Sequence, residues 1–306
     1  MANERLIAAN AAFMLTAQTI VQSLVSGLLT GLIYALIAVG LSLIFGLMDV
    51  VNFAHGEFLM AAMYATLGLT VALAIDPILA APLVAALLFV FGALLYIGII
   101  RHAMRASANR AMVQIFATFG LAIVMRGAAQ LLFTPDYRSV SGGWTAGKNL
   151  SVAGIFLPMP QLVGALISVL AFTGLYLLIK YTDFGRALEA TREDAGAVAL
   201  VGIDRNRVFT LGWGLGASLV GLAGAVMATY FYIYPDVGAS FALIAYVTVA
   251  LGGFGSVLGA LVAGVIVGLV EATTALLLPP ALKSVGIYAL YLGVVFLRPR
   301  GLFGST

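Results

Sequence analysis

Apolar residues run along this chain in long stretches, broken by a few polar islands. Stretches near 20–47, 57–75, 82–100, 111–133, 161–179, 208–232, 240–252, 257–278 and 284–297 are almost free of charge. A continuous run such as APLVAALLFVFGALLYIGII lacks the alternation of a barrel strand. Each stretch therefore predicts a membrane-crossing helix, because an isolated strand cannot satisfy its backbone in lipid. The run 20–47 is longer, and 240–252 shorter, than the ~20 residues of an ideal span. Residues 1–17 read as a short polar or interfacial lead-in. The A-x-A string Ala9-Asn10-Ala11 follows an apolar stretch, Leu6 to Ala9, too short for a secretory signal.

The basic residues between these stretches set an orientation. Arg101, Arg105 and Arg110 form one island, Lys180, Arg186, Arg192, Arg205 and Arg207 a second, and Arg298 and Arg300 a third. Together they hold ten of the fifteen Lys and Arg residues, whereas Arg5, Arg138, Lys148 and Lys283 fall on the other side. The positive-inside rule puts the three islands and the C-terminus in the cytoplasm and, with nine crossings, the N-terminus outside. Composition agrees: 63% of the 306 residues are hydrophobic and only 27 are charged. Mean hydropathy is +1.13. Ordinary soluble domains are about one quarter charged, so a soluble enzyme, a disordered chain and a nucleic-acid binder are all excluded. Zero Cys removes disulfides, thiolate metal sites and Cys nucleophiles. The expected fold is all-α: a polytopic integral membrane protein of about eight or nine transmembrane helices. Residues 1–306 form one transmembrane domain with a cytoplasmic loop 180–207 and an external loop 134–160.

Two stretches interrupt the apolar pattern. GLMDVVNFAHGEF carries Asp49, Asn52, His55, Gly56 and Glu57, and LGGFGSVLGA carries Gly252, Gly253, Gly255, Ser256 and Gly259. Paired breaks in the two halves of a membrane protein point to a solute pathway. They predict broken or re-entrant segments near 48–57 and 252–257, with Asn52, His55, Gly56, Glu57, Gly253, Gly255 and Ser256 as pathway candidates. The other reading is two plain loops at the membrane surface. His55 and Glu57 have no second His or Cys at ligand spacing, so a metal site is not expected. Arg126 and Glu271 each sit inside an apolar run. A charge there costs at least ~2.5 kcal/mol near the bilayer centre, so each faces the protein interior or snorkels. Both lie toward the outer ends of their helices, as part of a polar wall or as a structural ion pair. Small-xxx-small pairs, Gly27/Gly31, Gly212/Gly216, Gly255/Gly259 and Gly264/Gly268, predict close helix packing, within the chain or at a dimer face.

The string Gly142 to Lys148 spells G-x-x-x-x-G-K, but Asn149 follows where a phosphate-binding loop needs Ser or Thr. It lies in the external loop, so no nucleotide site, catalytic residue or cofactor is expected in this chain. The loop 180–207 holds ten of the 27 charges. Asp183 and Gly185 open a helical stretch that Gly202 stops. Leu188, Ala195, Val198 and Ala199 line an apolar stripe, and Arg186, Glu189, Arg192 and Glu193 lie largely elsewhere. Such a helix either lies on the membrane interface or docks in a groove of a cytoplasmic partner; its balanced charge favours docking.

The stretch GLIYALIAVGLSLIFGLMDVVNFAHGEFLMAAMYATL, and VNFAHGEF above all, resembles the N-terminal signature of LivH-type branched-chain amino acid ABC transporter permeases. GRALEATREDAGAVALVGID resembles their cytoplasmic loop, a divergent relative of the EAA loop of ABC importers, with Glu189-Ala190-Thr191 in place of Glu-Ala-Ala. LGGFGSVLGALVAGVIVGLVE and FLRPRGLFG resemble their C-terminal half. The resemblance implies a multi-pass permease of the bacterial inner membrane that pairs with a LivM-type permease. It also implies two cytoplasmic ATPases that bind ATP and a periplasmic substrate-binding protein. Related permeases carry urea, short amides and other small solutes, and an ion-coupled secondary transporter is the alternative of a different class.

Overall fold

A computed structural model describes residues 2–49, 51–105, 109–140, 142–194 and 196–304. Its helices are α1 (Ala2–Met48), α2 (His55–Leu73), α3 (Pro77–Ala103), α4 (Arg110–Phe133), α5 (Met159–Tyr181), α6 (Asp183–Glu193), α7 (Arg205–Met227), α8 (Val237–Gly252), α9 (Val257–Leu277) and α10 (Val285–Leu297). Among the described residues, seven are long and apolar enough to cross a membrane, and α8 and α10 are shorter apolar helices. The nine stretches read from the sequence each contain one helix. Their ends shift: α1 begins at Ala2 with no separate lead-in, and α7 stops at Met227 instead of running to 232.

The interior is built on α1 and α7, whose walls are largely buried, with α2, α3, α8 and α9 around them. Lipid offers no hydrophobic drive between helices, so close van der Waals approach holds them together. That is the use made of the small-residue pairs. Helices α1 and α9 run antiparallel, with Gly27 and Gly31 against Gly268 and Gly264; a Cβ on Gly268 would lie 2.4 Å from the Gly31 Cα. Gly216 of α7 packs on Gly40 of α1 in the same way, 2.8 Å from its carbonyl oxygen by the same measure. The small-residue pairs serve packing within the chain.

The three basic islands gather on one face. Arg101, Arg105 and Arg205 line one cavity there with Tyr96 and Asn206, and the segment after Arg298 reaches the end of α8. The loop 134–160 covers the opposite face. Its Trp144 N–H donates to Asp76, whose other carboxylate oxygen caps the start of α3 at Ile78. Arg138 pairs through its backbone with Ile233, and the Gln22 side chain bonds both backbone groups of Phe156. This loop contains an antiparallel hairpin, β1 (Asn149–Val152) and β2 (Ile155–Pro158), which the sequence pattern did not suggest because its strands are four residues long. Lys148 leads into β1 and not into a helix, unlike the lysine of a phosphate-binding loop.

Candidate functional site

The first break turns back into the helix bundle. Helix α1 reaches the basic face at Met48, where Gly46 packs on Gly255. The chain then turns back. Tyr246 of α8 donates its hydroxyl to the carbonyls of Asn52 (3.2 Å) and Phe53 (3.1 Å). Further in, the His55 Nε2 donates to the carbonyl of Ile37 at 2.9 Å. Ile37 precedes Met48 by eleven residues, or about 16 Å of helix at 1.5 Å per residue. Helix α2 thus begins deep in the protein and not at a surface. Asn52 prepares that start: its side-chain oxygen accepts from the Ala54 N–H at 3.1 Å and its carbonyl from the His55 N–H at 3.2 Å.

Helix α8 starts at the same depth. The first turns of α2 and α8 cross at Gly56 and Gly238, so tightly that a Cβ on Gly56 would lie 2.2 Å from the Gly238 carbonyl oxygen. Two positive helix ends meet there. Each carries a carboxylate, Glu57 in the first turn of α2 and Asp236 just before α8. Arg126 of α4 bridges them, 2.6 Å from Glu57 and 3.4 Å from Asp236. Asn52, His55, Gly56 and Glu57 are all buried, with Asn52, His55 and Glu57 no more than 2% exposed. The neighbouring Phe53 ring is exposed and packs with Phe119 and Tyr246.

Arg126 and Glu271 do not meet. Glu271 pairs with Lys283 at 2.7 Å, on the loop between α9 and α10. The sequence placed both charges at similar depth, but α4 and α9 stand on different sides of the bundle, and a linear pattern carries no azimuth.

The second break lies on the basic face. Gly253 ends α8 at φ +100° and Gly255 takes φ +76°, conformations that L side chains avoid. Ser256 then caps α9 by accepting the Gly259 N–H at 3.0 Å. The segment after α10 closes this turn: the N–H groups of Leu302 and Phe303 donate to the carbonyls of Leu251 (2.8 Å) and Gly252 (3.1 Å), the free acceptors at the end of α8. That latch, unread in the sequence, is the work of RPRGLFG.

The loop 180–207 is tied to the second break and to the last turn of α1. Thr182 caps α6 by accepting the Gly185 N–H, and its hydroxyl donates to Leu178 of α5. Gly185 lies so close to the carbonyl of Ile179 that no side chain fits. Asp183 and Arg186 pair on the exposed side. The helix ends at Glu193, sooner than the sequence suggested. Asp194 accepts the N–H groups of Gly196 and Ala197, which hold its carboxyl below the usual carboxylate range, and residues Ala197–Val201 form a 3-10 turn stopped by Gly202 at φ +83°. Ala195, expected on the apolar stripe, lies outside the described residues. Leu188 on α6 and Val198 on the 3-10 turn are both buried, Leu188 in the chain's own core, and Ala199, expected beside them, is exposed, so no single stripe faces outward. Leu200 and Val201 are the outward apolar pair, 90% and 75% exposed. Thr191 is buried and donates to Ala187, so the Glu-Ala-Thr departure is accommodated inside the helix. Arg192 reaches from α6 to the second break, within 3.2 Å of where a Gly255 Cβ would stand. Glu189 and Arg192 help enclose a cavity of about 440 Å³ with Ser42, Gly46, Ser256 and Phe303.

Residues 23–295 match the family described as branched-chain amino acid transport system, permease component. The chain is 30% identical over 283 residues to the high-affinity branched-chain amino acid transport system permease protein LivH of Escherichia coli K12, covering 88% of this chain and 91% of that one. It is 30% identical over 282 residues to BraD of Pseudomonas aeruginosa, a permease of the same description, with the same coverage. A ribose import permease, RbsC of Bacillus subtilis, is 33% identical over 165 residues, about half of each chain. No solved structure matches.

Proposed function

The chain belongs to the branched-chain amino acid transport permease family, and from that premise we propose that it moves branched-chain amino acids inward as one half of an ATP-driven importer's membrane domain. In this reading the protein is a multi-pass subunit of the inner membrane. The basic face and the C-terminus are cytoplasmic, and the opposite face receives substrate from a periplasmic binding protein. A LivM-type permease is its partner. ATP is bound by two cytoplasmic ATPase subunits, and this chain catalyses no reaction.

The observation that carries the proposal is the seat of Arg192. Force from an ATPase must reach the membrane helices through physical contact. Helix α6 presents Arg186 and Glu189 outward, the 3-10 turn after it presents the Leu200–Val201 knob, and the Arg192 side chain lies beside Gly255 and Gly46. One short helix thereby contacts both the last turn of α1, which leads into the first break, and the second break itself. Moving it displaces the two places where the bundle is already discontinuous. Asn52, His55, Gly56 and Glu57 are buried in this conformation, and in the proposal they reach the route when α2 and α8 slide at their glycine crossing.

Uptake by the assembled transporter in proteoliposomes tests the reading. We expect ATP-dependent uptake of leucine, isoleucine and valine, with urea and ribose as control solutes. Arg192→Ala is expected to lower uptake at least tenfold while ATP hydrolysis continues. Normal uptake by that variant, or uptake driven by an ion gradient without ATP, defeats the proposal.

A further inference from the structure

On the face opposite the basic islands, an ion pair stands between two cavities. Glu271 is buried in α9, its side chain 9% exposed, and the Lys283 ammonium sits 2.7 Å away with its side chain 46% exposed. One cavity, about 450 Å³, is walled by aromatic and aliphatic groups including Tyr234, Phe241, Ile244 and Tyr288. The other, about 270 Å³, presents Ser23, Ser26, Thr30 and Gln161. Tyr34, Phe231, Glu271 and Lys283 line both. The Tyr34 hydroxyl is turned to the Glu271 carboxylate. The Gln161 side-chain oxygen is buried without a hydrogen-bond partner among the described residues.

We propose that this two-lobed cavity binds the free zwitterion of a neutral, apolar α-amino acid, its ammonium on Glu271, its carboxylate on Lys283 and its side chain in the aromatic lobe. The proposal rests on the transport reading above for its choice of substrate. The charge balance argues for the class. A carboxylate and an ammonium already cancel each other at the mouth of an apolar pocket. An anion or a cation entering there leaves one partner buried and unpaired, which is costly in a low dielectric. A zwitterion replaces one pair by two and adds no net charge. The asymmetry of the pair suits exchange: Glu271 is fixed on a helix, and Lys283 swings on a flexible stem from a loop. The size is that of a small-molecule site, commonly about 300–1,000 Å³.

A phospholipid ethanolamine headgroup shares the ammonium–anion chemistry, so the experiment separates the two sources. The assembled transporter, purified without its binding protein, is placed in phosphatidylcholine nanodiscs and titrated with radiolabelled L-leucine. We expect saturable binding that isoleucine displaces and that leucinamide and 4-methylpentanoate, each lacking one charge, do not. Glu271→Gln and Lys283→Gln are expected to weaken it at least tenfold. The swap Glu271→Lys with Lys283→Glu restores the ion pair, and thermal stability should recover while leucine binding stays at least tenfold down, because the charges then present the side chain to the wrong lobe. Recovery of both marks a purely structural pair and overturns the proposal. Absence of leucine binding overturns it too, as does phosphatidylethanolamine that copurifies with the wild type, is lost in Glu271→Gln and is not displaced by leucine. Leucine uptake that is normal in both single variants overturns this site and leaves the transport reading standing. Absence of uptake by the wild type defeats the transport reading, and the binding titration alone then judges the site.

Discussion

The contact between Gly56 and Gly238 sets how far α2 and α8 separate, since their carbonyl oxygens fill the space a methyl group would need. Gly56→Ala or Gly238→Ala is expected to destabilise the protein by at least ~1–3 kcal/mol, the usual cost of overpacking, seen as a lowered Tm in detergent. Gly68 has open space around it within the helix α2. Gly68→Ala should raise Tm slightly, by the helix propensity gain of up to ~1 kcal/mol. A second residue-scale test concerns Arg126. Arg126→Met strands the buried Glu57 carboxylate, a loss of ~3 kcal/mol, and adding Glu57→Gln should return most of it. Equal Tm values for the single and double variants sink the pairing. Part of this was legible in the sequence: a charged residue in an apolar run announces that it has a partner. The identity of the partner was not, because Glu57 and Asp236 are 69 and 110 residues away from Arg126 and meet it only through the crossing of α2 and α8.

At the scale of elements, the loop 180–207 shows where pattern and position part company. That Leu188 and Val198 are buried apolar positions was readable in the pattern; that the helix stops at Glu193 was not, and Gly202 instead stops the 3-10 turn that follows it. Spacing does not say which side of a stripe faces the rest of the protein, and the chain's own helices take that side. The outward knob is Leu200 and Val201, on a 3-10 turn that exists because Asp194 ends the helix. The two sets of residues predict different phenotypes. Leu188→Asp should lower Tm, by burial of an unpaired carboxylate. Leu200→Asp with Val201→Asp should leave Tm unchanged and abolish the stimulation of ATP hydrolysis by substrate in the assembled transporter. A stable, fully coupled Leu200/Val201 variant places the knob on the membrane surface instead. The helices themselves were legible throughout, because span length and apolarity are linear properties. The hairpin at 149–158 and the latch at 302–303 were not, because short extended pieces carry little pattern of their own.

At the scale of the whole molecule, the two faces are chemically distinct, and the distribution of Lys and Arg read in the sequence matches the sides on which the structure gathers them. The absence of Cys makes this directly measurable. A Cys at Lys148 is expected to react with an impermeant maleimide applied to intact spheroplasts, and a Cys at Arg186 only after the membrane is opened. The reverse pattern inverts the orientation. The latch between Leu302–Phe303 and the end of α8 has a consequence for biosynthesis. Leu302 is polymerised 51 residues after Leu251, the carbonyl it closes. At about 5–20 residues per second, a nascent chain spends several seconds with α8 uncapped while α9 and α10 are still being made. The turn at Gly253–Gly255 therefore acquires its last two hydrogen bonds only after α9 and α10 have been synthesised.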